Sequence, residues 1–341
     1  MWNSLRRLVK HIIYFAFHYS GLLALFEFLL RPKGLFIVGY HRISEDMPDR
    51  DVHPLAVTRT RLDSHFRFYR KRFKVIGMDD VEKVLSQPKL DANYLVVTFD
   101  DGYLDNKALA EQPFVDYEVC ATLYLTASPI DKREPLWTDK VDAFLFSSAE
   151  KNVTLNYPGL SGTFSLADNT DRIQLAERVK NEIKRYDETA KRKMLIELRD
   201  SLRPEFEGDD SLMLTWSDVG ELAAAGVTLG SHTMNHPTLS RIPETAVVEE
   251  LRDSRRLIEE RTGIDVRHFA YPYGRETDFT TVVAEEARRH YRTAVTAING
   301  INYPGQNLWE LRRVIVENIP ASLLRLRLLK LRAQDYIRNR R

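Results

Sequence analysis

The sequence predicts an α/β fold, a parallel sheet or barrel in which short buried strands alternate with helices. Short apolar runs rich in branched residues are typical of buried strands: LFIVGYH, YLVVTF, ATLYLT, GVTLGSH and RHFAYPYG. Helical patterns separate them, around 60–72, 246–262 and 279–292. This alternation favours parallel strands connected by helices. At 341 residues, the chain is long enough for one barrel of about 250 residues with extensions.

Polar residues follow several of the predicted strands. His41 ends the first run, Asp100 and Asp101 follow YLVVTF, and His232 ends GVTLGSH. The carboxyl ends of parallel strands meet on one face of a sheet or barrel, where the sites of such folds lie. We therefore expect these side chains to gather into one site on that face.

The start of the chain predicts an amphipathic N-terminal helix, 1–34. A largely apolar stretch at 12–30 follows basic residues, but His18, Ser20 and Glu27 interrupt it and no small-residue cleavage site follows it. Its apolar residues recur at helical spacing, as in a helix that lies on a membrane or on the barrel. This favours a location that is cytoplasmic or peripheral at the inner membrane, and anchoring by the N-terminal segment is the alternative.

Two further segments differ from the alternating pattern. Between about 139 and 210 the chain is strongly charged and helical in pattern, which predicts a helical insertion in a domain at 35–320. The end, 321–341, predicts a basic amphipathic helix, because arginines and lysines are interleaved with Leu324 and Leu328. Such a helix suits an anionic membrane surface, and a solvated terminal helix is the alternative.

The overall charge is close to zero, with 50 Lys plus Arg and 49 Asp plus Glu. Such a balance gives no general attraction to polyanions, so we expect no nucleic acid partner. The single cysteine, Cys120, excludes an internal disulfide. It lies in the apolar run CATLYLT, which predicts a buried and unreactive thiol.

Two motifs carry the residue types that bind metals. VVTFDDGY places Asp100 and Asp101 directly after a strand and before Gly102, where the chain can turn sharply. In GSHTMNHP, His232 and His236 are spaced so that one helical turn would direct both imidazoles toward one cation. Two histidines and one carboxylate form a metal site with positions open to water. Each motif alone has a simpler explanation. One acid of the pair could cap a helix and the other could be a surface residue, and two histidines at this spacing also occur by chance.

A third motif, FAYPYGR, predicts a tight turn that lines a pocket. Pro272 fixes the backbone, and Gly274 permits an unusual turn. Tyr271 and Tyr273 are candidates for the pocket wall. Such a turn can direct a main-chain N–H toward a developing oxyanion.

The segments TFDDGY, LTWSDVGELAAAGVTLGSHTMNHPTLS and FAYPYG, in this order and spacing, resemble the polysaccharide deacetylase family, also called carbohydrate esterase family 4 or the NodB homology domain. The resemblance extends over about 35–319 and is weakest in the charged insertion. It implies a distorted or incomplete (β/α) barrel of the NodB type. It also implies a divalent metal, most often zinc, and hydrolysis of N-acetyl groups on sugars.

The resemblance further implies roles for single residues. Asp100 takes the position of the catalytic base, whereas Asp101, His232 and His236 take the positions of the metal ligands.

Other positions are implied to contact the substrate. Tyr273 falls where a main-chain N–H helps to hold the oxyanion, and Trp216 matches an aromatic residue that lines the site. Tyr271 and Pro272 are further candidates for substrate binding. The YHRIS segment resembles the branch of the family that acts on exopolysaccharides, which makes His41 a catalytic candidate. An ordinary structural role at a strand end is the alternative for His41.

Two departures from the family pattern concern proton transfer. Many members carry an arginine that orients the base where this chain has Ala270, so no partner of Asp100 is predicted. Many also have a late Leu-x-His motif whose histidine is the general acid, but WELRRVIVEN, where it is expected, contains no histidine. Either another group donates the proton, for which His41 is the first candidate, or Asp100 and the metal-bound water share both transfers.

The sequence therefore predicts a metal-dependent hydrolase that removes N-acetyl or other N-acyl groups from a polysaccharide or glycan of the cell envelope. One alternative is a membrane-associated carbohydrate-binding protein with weak or no catalysis, because of the two departures. Another is a deformylase or deacetylase of a lipid-linked sugar, because both ends of the chain suggest contact with a bilayer.

Overall fold

The computed structural model describes residues 33–45 and 55–338. The predicted N-terminal helix at 1–34 therefore lies almost wholly outside the described residues. The strands are β1 (Leu35–Tyr40), β2 (Arg42–Ser44), β3 (Ala56–Thr58), β4 (Lys74–Val75), β5 (Tyr94–Phe99), β6 (Ala121–Leu125), β7 (Asn152–Tyr157), β8 (Leu160–Ser165), β9 (Thr228–Ser231), β10 (His268–Ala270), β11 (Thr293–Val295) and β12 (Val314–Ile315).

Helices connect most of these strands. They are α1 (Arg59–Arg72), α2 (Val81–Leu85), α3 (Asp105–Asp116), α4 (Ala127–Lys132), α5 (Trp137–Ser147), α6 (Asn169–Ile183), α7 (Glu188–Leu202), α8 (Trp216–Ala224), α9 (Glu244–Thr262), α10 (Thr281–His290) and α11 (Ala321–Arg338). The predicted helices around 60–72, 246–262 and 279–292 correspond to α1, α9 and α10 and are confirmed.

The main sheet is parallel. Its strands lie in the order β11-β10-β9-β6-β5-β1-β12, and β4 pairs with the first residues of β5. Strands β1 and β5 are in register over their whole length, from Leu35 opposite Tyr94 to Tyr40 opposite Phe99. Every residue of both strands is buried, as expected where helices cover a parallel sheet. The predicted α/β fold with a parallel sheet is confirmed.

The segment 311–316 joins the two edges of this sheet. On one side, the main-chain N–H of Leu311 donates to the carbonyl of Ala294 in β11 at 3.0 Å. On the other side, the N–H of Val316 donates to the carbonyl of Gly39 in β1 at 2.8 Å. The sheet is thereby curled into a distorted (β/α) barrel whose last strand is short and irregular, which agrees with the predicted architecture.

Side chains alternate between the inside and the outside of the barrel, as they do in any strand. On β5, Tyr94 and Val96 belong to the inner apolar cluster, together with Tyr124 of β6. Leu95 and Val97 point outward into the larger core beneath the helices. Burial of one such aliphatic side chain stabilises the fold by roughly 1.5–3 kcal/mol. The alternation also decides which residues at the strand ends face the barrel axis.

The charged region predicted as a helical insertion contains helices α5, α6 and α7, and also an antiparallel hairpin of β7 and β8. The prediction of helix alone was therefore wrong for 152–165. In β7, exposed and buried residues alternate, which is the pattern of a strand with one solvated face. The helices and the hairpin share an apolar cluster of their own, which includes Trp137, Val141 and Leu198.

The C-terminal helix α11 packs its leucines against the barrel. Leu324 is fully buried and Leu328 is 2% exposed, and both belong to the main core. These two side chains are consequently not available to a lipid surface. Among the described residues, no helix is both long enough and apolar enough to cross a membrane.

Cys120 differs from its prediction. The residue is exposed, because it precedes the first residue of β6 and lies outside the buried part of the strand. The apolar run that follows it, and not the cysteine itself, forms the core.

Candidate metal and catalytic site

Asp101, His232 and His236 lie together beyond the carboxyl ends of β5 and β9. Oδ1 of Asp101 is 3.6 Å from Nε2 of His232 and 3.4 Å from Nε2 of His236. All three residues are buried, and one ligand atom from each lies within 4.8 Å of the others. The structure thus brings together the three residues that were predicted as metal ligands.

The two adjacent acids separate because the backbone turns at the end of β5. Asp100 continues the inward-facing alternation of the strand. Asp101 and Gly102 have φ values of 76° and 88°, in the left-handed region. Aspartate tolerates this region better than most residues with a Cβ, and glycine adopts it freely. The turn directs one carboxylate to the histidines and the other into the barrel.

A loop brings the two histidines together, and not the helical turn that their spacing predicted. The residues that follow β9 are not helical, and Thr233 and His236 have φ values of 70° and 55°. The carboxylate of Glu250 holds this loop, because it accepts the main-chain N–H groups of Met234 at 2.8 Å and Asn235 at 3.0 Å. The left-handed residues reverse the chain direction and leave both imidazoles facing the same carboxylate.

Hydrogen bonds at Nδ1 leave Nε2 of both histidines directed toward the acid. Nδ1 of His232 donates to the carbonyl of Ala270 at 2.7 Å, and Nδ1 of His236 donates to the hydroxyl of Tyr273 at 3.2 Å. The Tyr273 hydroxyl also accepts Nε1–H of Trp137 at 3.1 Å and donates to the carbonyl of His236 at 3.4 Å. A proton on Nδ1 leaves a lone pair on Nε2, as a metal ligand requires.

This donor set fits a divalent cation. Oδ1 of Asp101 is buried and has no hydrogen-bond partner among the described residues. Burial raises the pKa of Asp101, and the charge of Asp100 raises it further. A cation at this position would satisfy the oxygen and keep the carboxylate ionised. Two imidazoles and one carboxylate beside an open cavity are ligands typical of catalytic zinc.

Asp100 forms a bidentate ion pair with Arg313, a residue that the sequence did not single out. Nη1 and Nη2 of Arg313 donate to Oδ1 and Oδ2 of Asp100 at 2.6 and 2.7 Å. The side chains are 1% and 2% exposed. Burial alone would raise the pKa of Asp100, but the guanidinium lowers it, and the resulting pKa is about 2. Asp100 is therefore ionised throughout the physiological pH range.

Arg313 is held in place by the barrel itself. It lies in the segment that joins the two edges of the sheet, and its Nε donates to the carbonyl of Thr296 at 3.0 Å. Its Nη1 also donates to the hydroxyl of Thr98 at 3.1 Å. The partner of Asp100 thus comes from WELRRVIVEN and not from the position of Ala270. The sequence feature that could have indicated this partner is an arginine directly before the branched residues of a short strand.

Comparison with known proteins identifies the family. The polysaccharide deacetylase family model matches residues 87–292, which is more than half of the chain. The chain belongs to the polysaccharide deacetylase family. Enzymes of this family are hydrolases that act on carbon–nitrogen bonds other than peptide bonds, which confirms the predicted enzyme class, and their substrates are glycans. Deacetylases of the family are in general metal-dependent.

A relative in sequence agrees with this assignment. The chain is 29% identical, over 103 residues, to the putative polysaccharide deacetylase YxkH of Bacillus subtilis (strain 168). That match spans 30% of this chain and 36% of the relative.

Solved structures show the same fold. The Streptococcus pyogenes deacetylase PplD in complex with acetate has a TM-score of 0.57 at 18% identity, over 88% of this chain and 99% of that chain. The structure of IcaB from Ammonifex degensii has a TM-score of 0.56 at 17% identity, over 88% and 97%. Both confirm the predicted barrel of the deacetylase family.

His41 lies beside the Asp100–Arg313 ion pair. Its Nε2 is 3.7 Å from Oδ2 of Asp100, and its side chain is 17% exposed. Burial lowers the pKa of His41 to about 4, although the charge of Asp100 opposes this effect. The imidazole is therefore neutral near pH 7. Its Nδ1 has no partner among the described residues.

Two residues of the FAYPYG turn line the cavity and a third does not. Tyr273, with φ of 59°, and Tyr271 both line the cavity above the metal ligands. Tyr271 is otherwise packed away, because its ring stacks on Phe279 at 4.2 Å and its hydroxyl donates to the carbonyl of Trp309. Pro272 is buried within the turn and is not part of the cavity wall.

The structure does not place Trp216 in the cavity wall. The indole Nε1 donates to the carboxylate of Asp131 in α4 at 2.9 Å, and the ring packs against the main core. This hydrogen bond holds the ring of Trp216, the first residue of α8, against α4. The resemblance alone had suggested that Trp216 lines the site.

The cavity has a volume of about 520 Å³, and the charged insertion forms one of its walls. Asp139 and Asp142 of α5 contribute to this wall, as do Lys180 of α6 and Lys184, which follows it. The metal ligands and the Asp100–Arg313 pair also line the cavity. The insertion is thus in a position to contact a glycan bound at the site.

Proposed function

We propose that the protein is a metal-dependent deacetylase that removes N-acetyl or other N-acyl groups from a polysaccharide or glycan of the cell envelope. One observation carries the proposal: Asp100, kept ionised by Arg313, is adjacent in the chain to a ligand of a triad that fits a divalent metal. Amide hydrolysis needs an activated water and a group that accepts its proton.

Asp101, His232 and His236 would hold the metal, for which zinc suits the ligand types. When bound, the metal supplies a Lewis acid that polarises the acyl oxygen and lowers the pKa of water. The remaining steps depend on the side chains that surround the triad.

Asp100 is the proton acceptor in this proposal. Asp100 lines the cavity, and its two hydrogen bonds from Arg313 hold the carboxylate in one orientation there. The attacking water adds its oxygen to the acyl carbon, and Asp100 accepts its proton. General base catalysis of this kind contributes a factor on the order of 10² to 10⁴ in rate.

His41 returns that proton to the leaving amine in this proposal. A neutral imidazole with Nε2 at 3.7 Å from Oδ2 of Asp100 can accept a proton from the protonated carboxylate. It then donates the proton to the sugar nitrogen as the carbon–nitrogen bond breaks. The products are the free amine and the carboxylic acid, and Asp100 is ionised again.

The turn at Tyr273 supports a site for the oxyanion. Tyr273 and the following Gly274 both have left-handed backbone conformations, with φ values of 59° and 64°. The N–H of Ala297 donates to the carbonyl of Gly274 at 2.8 Å and holds the turn. We propose that the main-chain N–H of Tyr273 donates to the developing oxyanion, as main-chain groups do in acyl transfer.

The alternative of a binding protein without catalysis depended on the missing arginine and the missing late histidine. Arg313 removes the first reason, because it forms both hydrogen bonds that an orienting arginine is expected to form. His41 lies where the second function can be performed. We therefore favour the enzyme.

The experiment that tests the proposal is acyl release by the full chain. The purified protein is stripped of metal with a chelator, reloaded with zinc, and incubated with N-acetylated oligosaccharides and envelope glycans. Mass spectrometry detects acetate and the deacetylated sugar. We expect release only from the loaded protein. No release from any glycan by zinc-loaded protein would support the binding protein instead.

A further inference from the structure

We propose that the cavity contains a subsite for a negatively charged group of the substrate, a phosphate or a carboxylate, and that Lys184 and Arg275 form this subsite. Both residues line the cavity. Lys184 follows the last residue of α6 in the insertion, and Arg275 follows the FAYPYG turn.

These two cations are distinguished by the absence of a direct ion pair with a carboxylate. Neither Lys184 nor Arg275 forms an ion pair with a carboxylate of the described residues. The other cations of the cavity wall each have an acidic partner: Arg42 with Asp105 at 2.5 Å, Lys180 with Asp142 at 2.5 Å, Arg313 with Asp100 at 2.6 Å and Arg327 with Glu317 at 3.4 Å. Lys184 and Arg275 are therefore the cations of this wall that are not held in an ion pair. The carboxylate of Asp278, which accepts the main-chain N–H of Arg275 at 2.9 Å, offsets only part of their charge.

Lys184 adjoins the metal site through Tyr273. The Nζ of Lys184 is 4.0 Å from the centroid of the Tyr273 ring, and the hydroxyl of that ring accepts Nδ1–H of His236 at 3.2 Å. An anion held by Lys184 would therefore belong to the same sugar as the acylated nitrogen or to the next one along the glycan.

Two cations close together in a partly buried wall raise the free energy of the empty site. Burial lowers the pKa of Lys184 to about 8, and the charge of Arg275 lowers it further, against the opposing effect of Asp278. An anion between the two cations would oppose both effects, because it adds a second negative charge beside the one that Asp278 supplies. The geometry therefore suits a ligand with a negative charge better than a neutral glycan.

This inference rests on the proposed function, because it assigns a charge to the substrate of that site. It restricts the substrate to N-acylated sugars that carry phosphate or carboxylate, or that are linked to another group through phosphate. Neutral N-acetylated oligosaccharides would then bind more weakly than charged ones.

Binding can be tested without catalysis. Isothermal titration calorimetry of the metal-free full chain would compare N-acetylglucosamine 1-phosphate, N-acetylmuramic acid and neutral N-acetylglucosamine. We expect at least one charged sugar to bind about tenfold more tightly than the neutral one. The difference should disappear in the double variant Lys184→Met with Arg275→Gln. Lys184→Arg, which keeps the charge, should preserve it.

Arg178→Gln is the matched control, because Arg178 lies on the same helix but contacts the ring of Phe164 outside the cavity. Its binding of charged sugars should equal that of the unmodified chain. Equal binding of charged and neutral sugars, or charged-sugar binding that survives the double variant, would overturn the subsite. A failure of the proposed function would look different, since acyl release would be absent while the binding preference remained.

Discussion

Nε1 of Trp137 donates a hydrogen bond of 3.1 Å to the hydroxyl of Tyr273. Because that hydroxyl also accepts Nδ1–H of His236 at 3.2 Å, the bond connects the charged insertion to a metal ligand. The insertion therefore helps to orient the imidazole, in addition to forming a wall of the cavity.

Replacement of Trp137 by phenylalanine should weaken metal binding. The change removes the donor that fixes the Tyr273 hydroxyl, and loss of such a supporting contact typically costs about tenfold or more in metal affinity. Zinc affinity measured by competition with a chromophoric chelator checks this. Tyr157→Phe is the control, because its hydroxyl bonds to the carbonyl of Met194 within the same insertion and does not contact the site. Unchanged zinc affinity in Trp137→Phe would contradict the proposed link.

Asp100→Asn and His232→Ala should separate catalysis from metal binding. An amide at position 100 cannot accept the proton of water, so turnover should fall by about 10² to 10⁴ while zinc remains bound. His232→Ala removes a ligand and should abolish both. Bound zinc is measured by atomic emission, and acyl release by mass spectrometry. If Asp100→Asn turned over at the normal rate, another group would have to be the base.

Replacement of Arg313 should destabilise the fold as well as the site. Arg313→Met leaves Asp100 buried without a counter-ion, which typically costs about 3–5 kcal/mol in the free energy of unfolding. Urea denaturation measures this cost. Arg70→Met is the control, because Arg70 and its partner Glu118 are 42% and 78% exposed and such surface pairs contribute roughly 0–1 kcal/mol. An equal loss in the free energy of unfolding in the two variants would show that the buried pair stabilises the fold no more than the exposed pair.

Arg313→Lys separates orientation from charge. A lysine keeps the positive charge but forms no bidentate pair with the carboxylate. We expect it to retain more stability than Arg313→Met but to lose turnover, because Asp100 is no longer fixed. Full activity in Arg313→Lys would show that charge alone is sufficient.

His41→Gln should lower kcat with little change in KM, because His41 acts on the proton and not on sugar binding. If Asp100 and His41 transfer the same proton, the double variant with Asp100→Asn should be no slower than Asp100→Asn alone. His290→Gln is the control, since His290 pairs with Glu286 on α10. If the double variant instead lost kcat by the product of the two single factors, Asp100 and His41 would have independent roles.

The stability of the metal-free protein should depend on Asp139. Burial raises the pKa of Asp139 to about 6, although the nearby Arg42 opposes this effect. Because the folded state holds this proton more tightly than the unfolded state, the contribution is complete below about pH 4 and is lost as the pH rises through about 6. Asp139→Asn does not titrate, so its Tm relative to the unmodified chain should increase between about pH 4 and 7. A constant difference in Tm would contradict the raised pKa.

The sequence predicted the features that depend on local pattern. The buried strands before Asp100 and His232 are short apolar runs, and their carboxyl ends meet because the sheet is parallel. The motifs around these strands therefore indicated the metal triad. The hairpin of β7 and β8 was not predicted, because its alternating pattern lies within a strongly charged region.

Features that depend on long-range contacts could not be predicted in this way. Arg313 reaches Asp100 from a segment 213 residues later in the chain, and no spacing rule connects the two. The conformation of the histidine loop depends on Glu250, which lies in a helix that begins after the loop and accepts the main-chain N–H groups of the loop residues Met234 and Asn235. The spacing of His232 and His236 alone favoured a helix. Trp216 matched an aromatic position of the family, but Asp131 holds its indole away from the cavity.

The position of Arg313 has a consequence for how the protein is made. Ribosomes extend the chain from its N-terminus, and early parts begin to fold before later parts emerge. All three candidate metal ligands emerge before Leu311, but the segment that joins β11 to β1 and neutralises Asp100 emerges later. A nascent chain that ends before this segment lacks the bonds of Leu311 and Val316 to the two sheet edges, and it lacks the Arg313 partner of Asp100. We therefore expect Asp100 to gain its partner late in synthesis, after the residues of the candidate metal site.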